Sequence, residues 1–96
     1  MIRDEERVER ARQLRHWATS PGGLFEVLDD LIKIHQAAWV ASDYDAQIER
    51  EAAYHRCAAL LSFKAECERI IQSGEDLVTM KAKEIERLEK QAHVVR

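Results

Sequence analysis

The stretch YDAQIEREAAYHRCAALLSFKAECERIIQS, residues Tyr44–Ser73, decides how this chain folds. It holds neither proline nor glycine, and Ala, Glu, Arg and Leu dominate it, all good helix formers. Its less polar positions return at steps of three and four: Ile48, Ala52 or Ala53, Cys57, Leu60, Phe63, Cys67, then Ile70 and Ile71. That period wraps an apolar stripe along one side of an α-helix. Thirty residues of helix reach on the order of 45 Å at 1.5 Å per residue. A compact domain of this size has a radius of gyration of only about 13 Å. The helix is too long to be swallowed by a globule, so other segments must pack along it.

Just before it, Ser42-Asp43-Tyr44-Asp45 forms a short polar hinge, with Ser42 and Asp45 spaced as in a capping box. Upstream of the hinge, residues 21–41 read as a second helix. Leu24, Leu28, Leu31, Ile32, His35, Ala38 and Trp39 give it the widest apolar face in the chain, and Phe25 and Val27 thicken its first turn. Thr19-Ser20-Pro21-Gly22-Gly23 punctuates its start, with Ser20 as cap and Pro21 at the first helical position. A connection as short as 42–45 makes the two helices antiparallel neighbours, an αα-hairpin of about 21–41 and 44–73.

Two helices flank this hairpin. Residues 3–18 place Asp4, Glu5 and Glu6 at a helix start and Arg12, Arg15 and His16 toward its end, which complements the helix dipole. Its stripe of Val8, Ala11, Leu14 or Arg15 and Ala18, with Trp17 beside it, is thin, so this helix needs something to dock on. Glu6 and Arg10 are placed for an i,i+4 ion pair. At the other end, Gly74 stands where a C-terminal glycine cap belongs, and Glu75-Asp76 looks like a fresh start; the alternative is one helix that continues through Gly74 at a cost of about 1 kcal/mol. Residues 75–93 then carry Val78, Lys81, Ile85, Leu88, Ala92 and Val95 at heptad spacing, a candidate projecting tail within 75–96. The expected architecture is one all-α domain over 1–96.

The totals narrow the function classes. The 96 residues are 34% charged and 46% hydrophobic, which suits a folded chain with a modest core. A net charge of −3, with no segment carrying a large excess of either sign, argues against nucleic-acid binding through bulk charge. No run approaches eighteen apolar residues and MIRDEERVER has no apolar signal core, so neither a membrane span nor a signal peptide is expected. Cys57 and Cys67 lie about 15 Å apart along one helix, beyond disulfide reach. They read as small buried residues of a reducing compartment.

No residue set declares a reaction. Glu51 and His55 are one turn apart, but Cys57 diverges from His55 around the helix and no second Glu-x-x-His motif follows, so no metal is expected. A nucleophilic Cys57 or Cys67 beside His35 would need an exposed, electropositive setting, whereas both cysteines fall in the apolar stripe. Ser20–Gly23 offers backbone amides at a helix start but lacks the lysine and preceding strand of a phosphate loop. Arg7, Arg10, Arg12 and Arg15 spread around the first helix among acids and show no helix-turn-helix spacing. No cofactor and no enzymatic activity are expected. Aromatic anchors and surplus apolar stripe point instead to association with protein, through Trp17, Phe25, Trp39, Ile85 and Leu88, with docking of both chain ends on the hairpin as the alternative use of that stripe.

The order ARQL (11–14), SPGGLFEVLDDLIKIHQAAWVAS (20–42) and DAQIEREAAYHRCAALLSFKAECERIIQSGE (45–75) resembles small helical-hairpin proteins encoded by tailed bacteriophages. These place a short helix before an apolar one ending in Ala-Trp, then a polar hinge with Asp, then a long Arg- and Glu-rich helix ending in glycine. The matching positions are Phe25, Leu28, Leu31, Ala38, Trp39, Asp45, Glu49, Arg50, Glu51, Leu60 and Gly74. The resemblance covers residues 11–75 and implies a phage origin, with a place in the virion or the host cytoplasm. It brings no catalytic residues with it. The expected function is a minor structural or accessory virion component that packs on copies of itself or on a larger virion protein. Two other classes stay open. One is an inhibitor of a host enzyme or defence complex, acting through a patch such as Glu26, Asp29 and Asp30. The other is a small DNA-binding regulator using the first helix.

Overall fold

A computed structural model describes residues 3–94, the side chains of His93 and Val94 excepted. Val95, the last position of the expected tail seam, lies outside them. Three helices make up the fold: α1 Asp4–Thr19, α2 Leu24–Ala41 and α3 Gln47–Val94. The all-α class read from the sequence holds, and no strand occurs among the described residues. The molecule is a rod of 78 × 24 × 24 Å with a radius of gyration of 21.0 Å. Its length is set by α3, whose 48 residues alone rise about 70 Å.

The expected break at Gly74 is absent, and the separate helix over 75–93 is the second half of α3. The reason lies in the register. Ala53, Cys57, Leu60, Lys64, Cys67, Ile71, Gly74 and Val78 follow one another at alternating steps of four and three, and all but Val78 are buried or half-buried. Gly74 is thus a position of the helix seam, not a cap. A glycine inside a helix costs about 1 kcal/mol relative to alanine. Here it lets α1 cross at close range. A Cβ at position 74 would overlap the Ala11 Cβ and stand 3.6 Å from the Arg7 carbonyl oxygen.

Two further boundaries move. α2 starts at Leu24 rather than Pro21, because Gly22 adopts φ +73° and turns the chain before a helix can form. Ser20 closes α1 instead, its hydroxyl donating to the His16 carbonyl. Likewise Ser42 ends α2, donating to the Trp39 carbonyl at 2.6 Å, and α3 begins only at Gln47 after a turn in which the Ala46 amide donates to the Asp43 carbonyl at 3.0 Å. Tyr44, expected in the long helix, is 89% exposed in that turn.

α1 and α2 lie one after the other along α3. Asp29 of α2 meets Lys64 of α3 at 2.8 Å, the Cys57 thiol points at the Ile32 carbonyl at 3.9 Å, and the Trp39 and Tyr54 rings are 6.4 Å apart. As numbers rise on α2, those of its neighbours on α3 fall. α1 takes the next length of α3: Ala11 sits on Gly74, Arg15 reaches Glu75 at 3.1 Å and Glu5 reaches Lys81 at 3.7 Å. Within α1 the ion pair is Glu9–Arg12 at 3.2 Å, not the expected Glu6–Arg10, and both groups are exposed enough that it contributes little.

The core is made of small side chains. Ala11, Ala18, Ala53, Cys57 and Cys67 are buried, and Leu28 and Ile32 are the large aliphatics that join them among the described residues. Close backbone approach therefore replaces bulk. Burial of each large aliphatic contributes only about 1.5–3 kcal/mol, so the monomer rests on a narrow apolar base.

Candidate functional site

The five expected contact residues do not converge. Trp17 stands 62% exposed on the last turns of α1. Phe25 is half-buried at the start of α2, with the Lys64 ammonium 5.6 Å from its ring centroid. That ammonium also donates to Asp29, and this hydrogen bond holds Lys64 charged to above the usual lysine range. Phe25 is thereby engaged within the chain. Trp39 belongs to the hinge. Ile85 and Leu88, 57% and 51% exposed, share one side of the far end of α3.

Three surfaces are left uncovered. The first is the end of the α3 seam. The four-and-three rhythm that runs from Ala53 to Val78 continues without a slip through Lys81, Ile85, Leu88 and Ala92. α2 and then α1 cover the seam as far as the Glu5–Lys81 contact; beyond it, residues 82–92 are all exposed.

The second surface flanks the α2–α3 contact. The face of α2 turned to α3 holds Phe25, Leu28, Ile32, His35 and Trp39, at steps of three and four. One residue earlier at each step runs a second apolar row, Val27, Leu31, Ile34, Ala38 and Ala41, and every member of it is exposed. On α3 the positions one residue before the seam include Ala52, Ala59, Phe63 and Ile70. In oppositely running helices the flanks that precede each contact position fall on the same side. The two rows therefore line one groove. At its hinge end the groove opens into a cavity of about 370 Å³ bordered by Ala38, Ala41, Ala52 and Arg56. Sequence reasoning missed it, because it placed Leu31 and Ala38 in one broad face with Leu28 and Ile32.

The third surface is the hinge, where Trp39, Tyr44, Gln47, Arg50, Glu51 and Tyr54 surround an open cleft of about 400 Å³. Its polar groups are occupied by one another: Gln47 donates to Glu51 at 3.2 Å and the Arg50 guanidinium lies 5.8 Å from the Tyr44 ring centroid.

The chemistry considered from the sequence finds no site. Glu51 is held by Gln47, and Cys57 faces α2 rather than His55. Among the described residues no group of three or more His, Cys, Asp or Glu side chains is placed to hold a metal ion. The Gly22 amide of the expected anion seat already donates to the Glu26 carboxylate at 2.6 Å. With Asp29 tied to Lys64, the acidic patch proposed for an inhibitor shrinks to Asp30. Of the α1 arginines, Arg7 donates to Ser73 at 3.2 Å, Arg12 pairs with Glu9 and Arg15 with Glu75, so they do not form a basic stripe. No described helix is long and apolar enough to cross a membrane.

Cys57 and Cys67 are free and buried, and burial pushes the Cys67 thiol up from its ordinary range. Both are expected to stay unmodified by a chromogenic disulfide reagent at pH 7.5 and to react together once denaturant is added. Rapid native reaction at Cys67 would show that the α3 seam is open there.

These features define a class: an all-α rod with more apolar helix face than its own helices cover. No family model matches the chain, and neither does any curated protein or solved structure with which it was compared.

Proposed function

We propose that this chain is a non-enzymatic assembly protein, built on an antiparallel αα-hairpin of α2 and α3 with α1 strapped across the second half of α3. Its work is the packing of apolar helix faces against copies of itself or a larger protein. The setting we propose is a phage particle, where it is a minor structural or accessory component. The observation that carries this reading is the α3 seam, which runs on through Ile85 and Leu88 after its own helices have ended. Apolar stripe of this spacing is the surface on which coiled coils and bundles assemble.

Light scattering tests it by absolute mass. The wild-type chain is expected to exceed its monomer mass of 11.1 kDa. The Ile85→Asp/Leu88→Asp double change is expected to reduce it to the monomer while far-UV circular dichroism keeps its helical signal. An unchanged mass in the variant would remove the seam end from the assembly. Mass spectrometry of purified particles tests the virion setting separately.

A further inference from the structure

Resting on that reading, we infer that the occupant of the α2–α3 groove is the far end of α3 from a second copy, exchanged reciprocally. One chain's residues 81–92 lie between α2 and α3 of the other, and the other's residues lie in the first chain's groove.

The chain cannot fill its own groove. α3 is a single helix to Val94, so its end points away from the rows that begin at its other end. The two surfaces also match in length and rhythm. Leu31, Ile34, Ala38 and Ala41 span ten residue steps of α2, and Lys81, Ile85, Leu88 and Ala92 span eleven steps of α3, about 15–17 Å each.

Placing the second α3 antiparallel to the first makes it parallel to α2. A two-fold axis near residue 72 of α3 then sets Ala59 against Ile85 and Ala52 against Ala92. On the α2 side, the pairing of Asp29 with Lys64 and Trp39 with Tyr54 carries the same register to Ile34 beside Ile85 and Ala41 beside Ala92. Closure is mutual, as an isologous dimer requires.

Charge follows the same alignment. Asp30 and Lys33 border the α2 row, and neither makes an ion pair among the described residues. The shift that joins Ile34 to Ile85 brings Asp30 to Lys83, which makes no ion pair of its own among the described residues, and Lys33 to Glu84 and Glu86, which pair within α3 with Arg87 and Lys90 and would share those charges. The area is of the right order as well. Val27, Leu31, Ile34, Phe63, Ile85 and Leu88 are 37–59% exposed, on the order of 600 Å² of side chain per copy before the alanines are added, against about 800 Å² per partner in a standard interface.

Mixing variants tests the exchange. Ile34→Glu closes the groove and leaves the helix end intact; Ile85→Asp/Leu88→Asp does the reverse. Each full-length variant alone is expected to sediment as a monomer with unchanged helicity. Mixed in equal amounts they are expected to form a heterodimer through the one intact arm. A mixture that shows no heterodimer even at about a thousandfold above the wild-type dimer constant would overturn the exchange, as would an Ile34→Glu chain that dimerises like the wild type. A wild-type chain that is monomeric at every concentration would instead overturn the assembly reading itself. A charge swap checks the register without touching apolar residues. Asp30→Lys is expected to weaken the dimer about two- to fivefold, and adding Lys83→Asp in the same chain to restore it. Equal weakening in the single and double variants would overturn the alignment.

Discussion

Gly74→Ala is expected to destabilise the protein by up to about 2 kcal/mol, although alanine is the better helix former. The two effects oppose each other. Removing a glycine from a helix interior gains about 1 kcal/mol. Adding a methyl group where Ala11 already sits forces the helices apart, and overpacking of this kind costs about 1–3 kcal/mol. The Ala11 Cα would be only 3.7 Å from the new Cβ, so the strain cannot be relieved by rotating a side chain. α1 must move as a body, which also loosens its Arg15–Glu75 and Glu5–Lys81 contacts. Urea melts should show the loss, and amide exchange should accelerate in α1 before α2. Ala11→Gly in the same chain should recover most of it although it costs about 1 kcal/mol by itself, giving a coupling energy of about 1–3 kcal/mol. A Gly74→Ala protein more stable than the wild type would mean that α1 is not seated there.

The second large effect is expected at Leu28 and Ile32. Each change to alanine should cost about 2–4 kcal/mol, and the double change should leave α2 undocked at 25 °C. Elsewhere such a loss would be absorbed by neighbouring bulk. Here the remaining buried side chains are alanines and cysteines, and total stabilities of small domains start near about 5 kcal/mol. Val40→Ala serves as the control, since Val40 is 79% exposed on another side of the same helix and should stay within about 0.5 kcal/mol of wild type. Equal effects at Ile32 and Val40 would show that α2 presents a different face to α3.

Much of this was legible in the residues. The helical class follows from periodicity alone, and α1 was placed to within a residue because its acidic start and basic end are unambiguous. Gly74 was misread because a glycine that ends a helix and a glycine that admits a crossing helix look alike in a string. What separates them is register: 74 continues the steps from Cys67 and Ile71, and a cap has no reason to. Ser42 and Ser20 posed the same ambiguity. Each can close the helix before it or open the one after, and in both cases the hydroxyl turned back. The groove was hidden for a different reason. Two apolar rows one residue apart sum to a single wide face on α2, and only knowing which row meets α3 divides them.

The uninterrupted backbone ladder of α3 gives the molecule one more property. With no proline and no break between Gln47 and Val94, the helix acts as a stiff strut, and its two ends stand about 70 Å apart. Whatever binds at the aromatic elbow is thereby held at a fixed distance from whatever binds at the opposite tip. In an ordered array, such a strut would serve as a gauge of spacing.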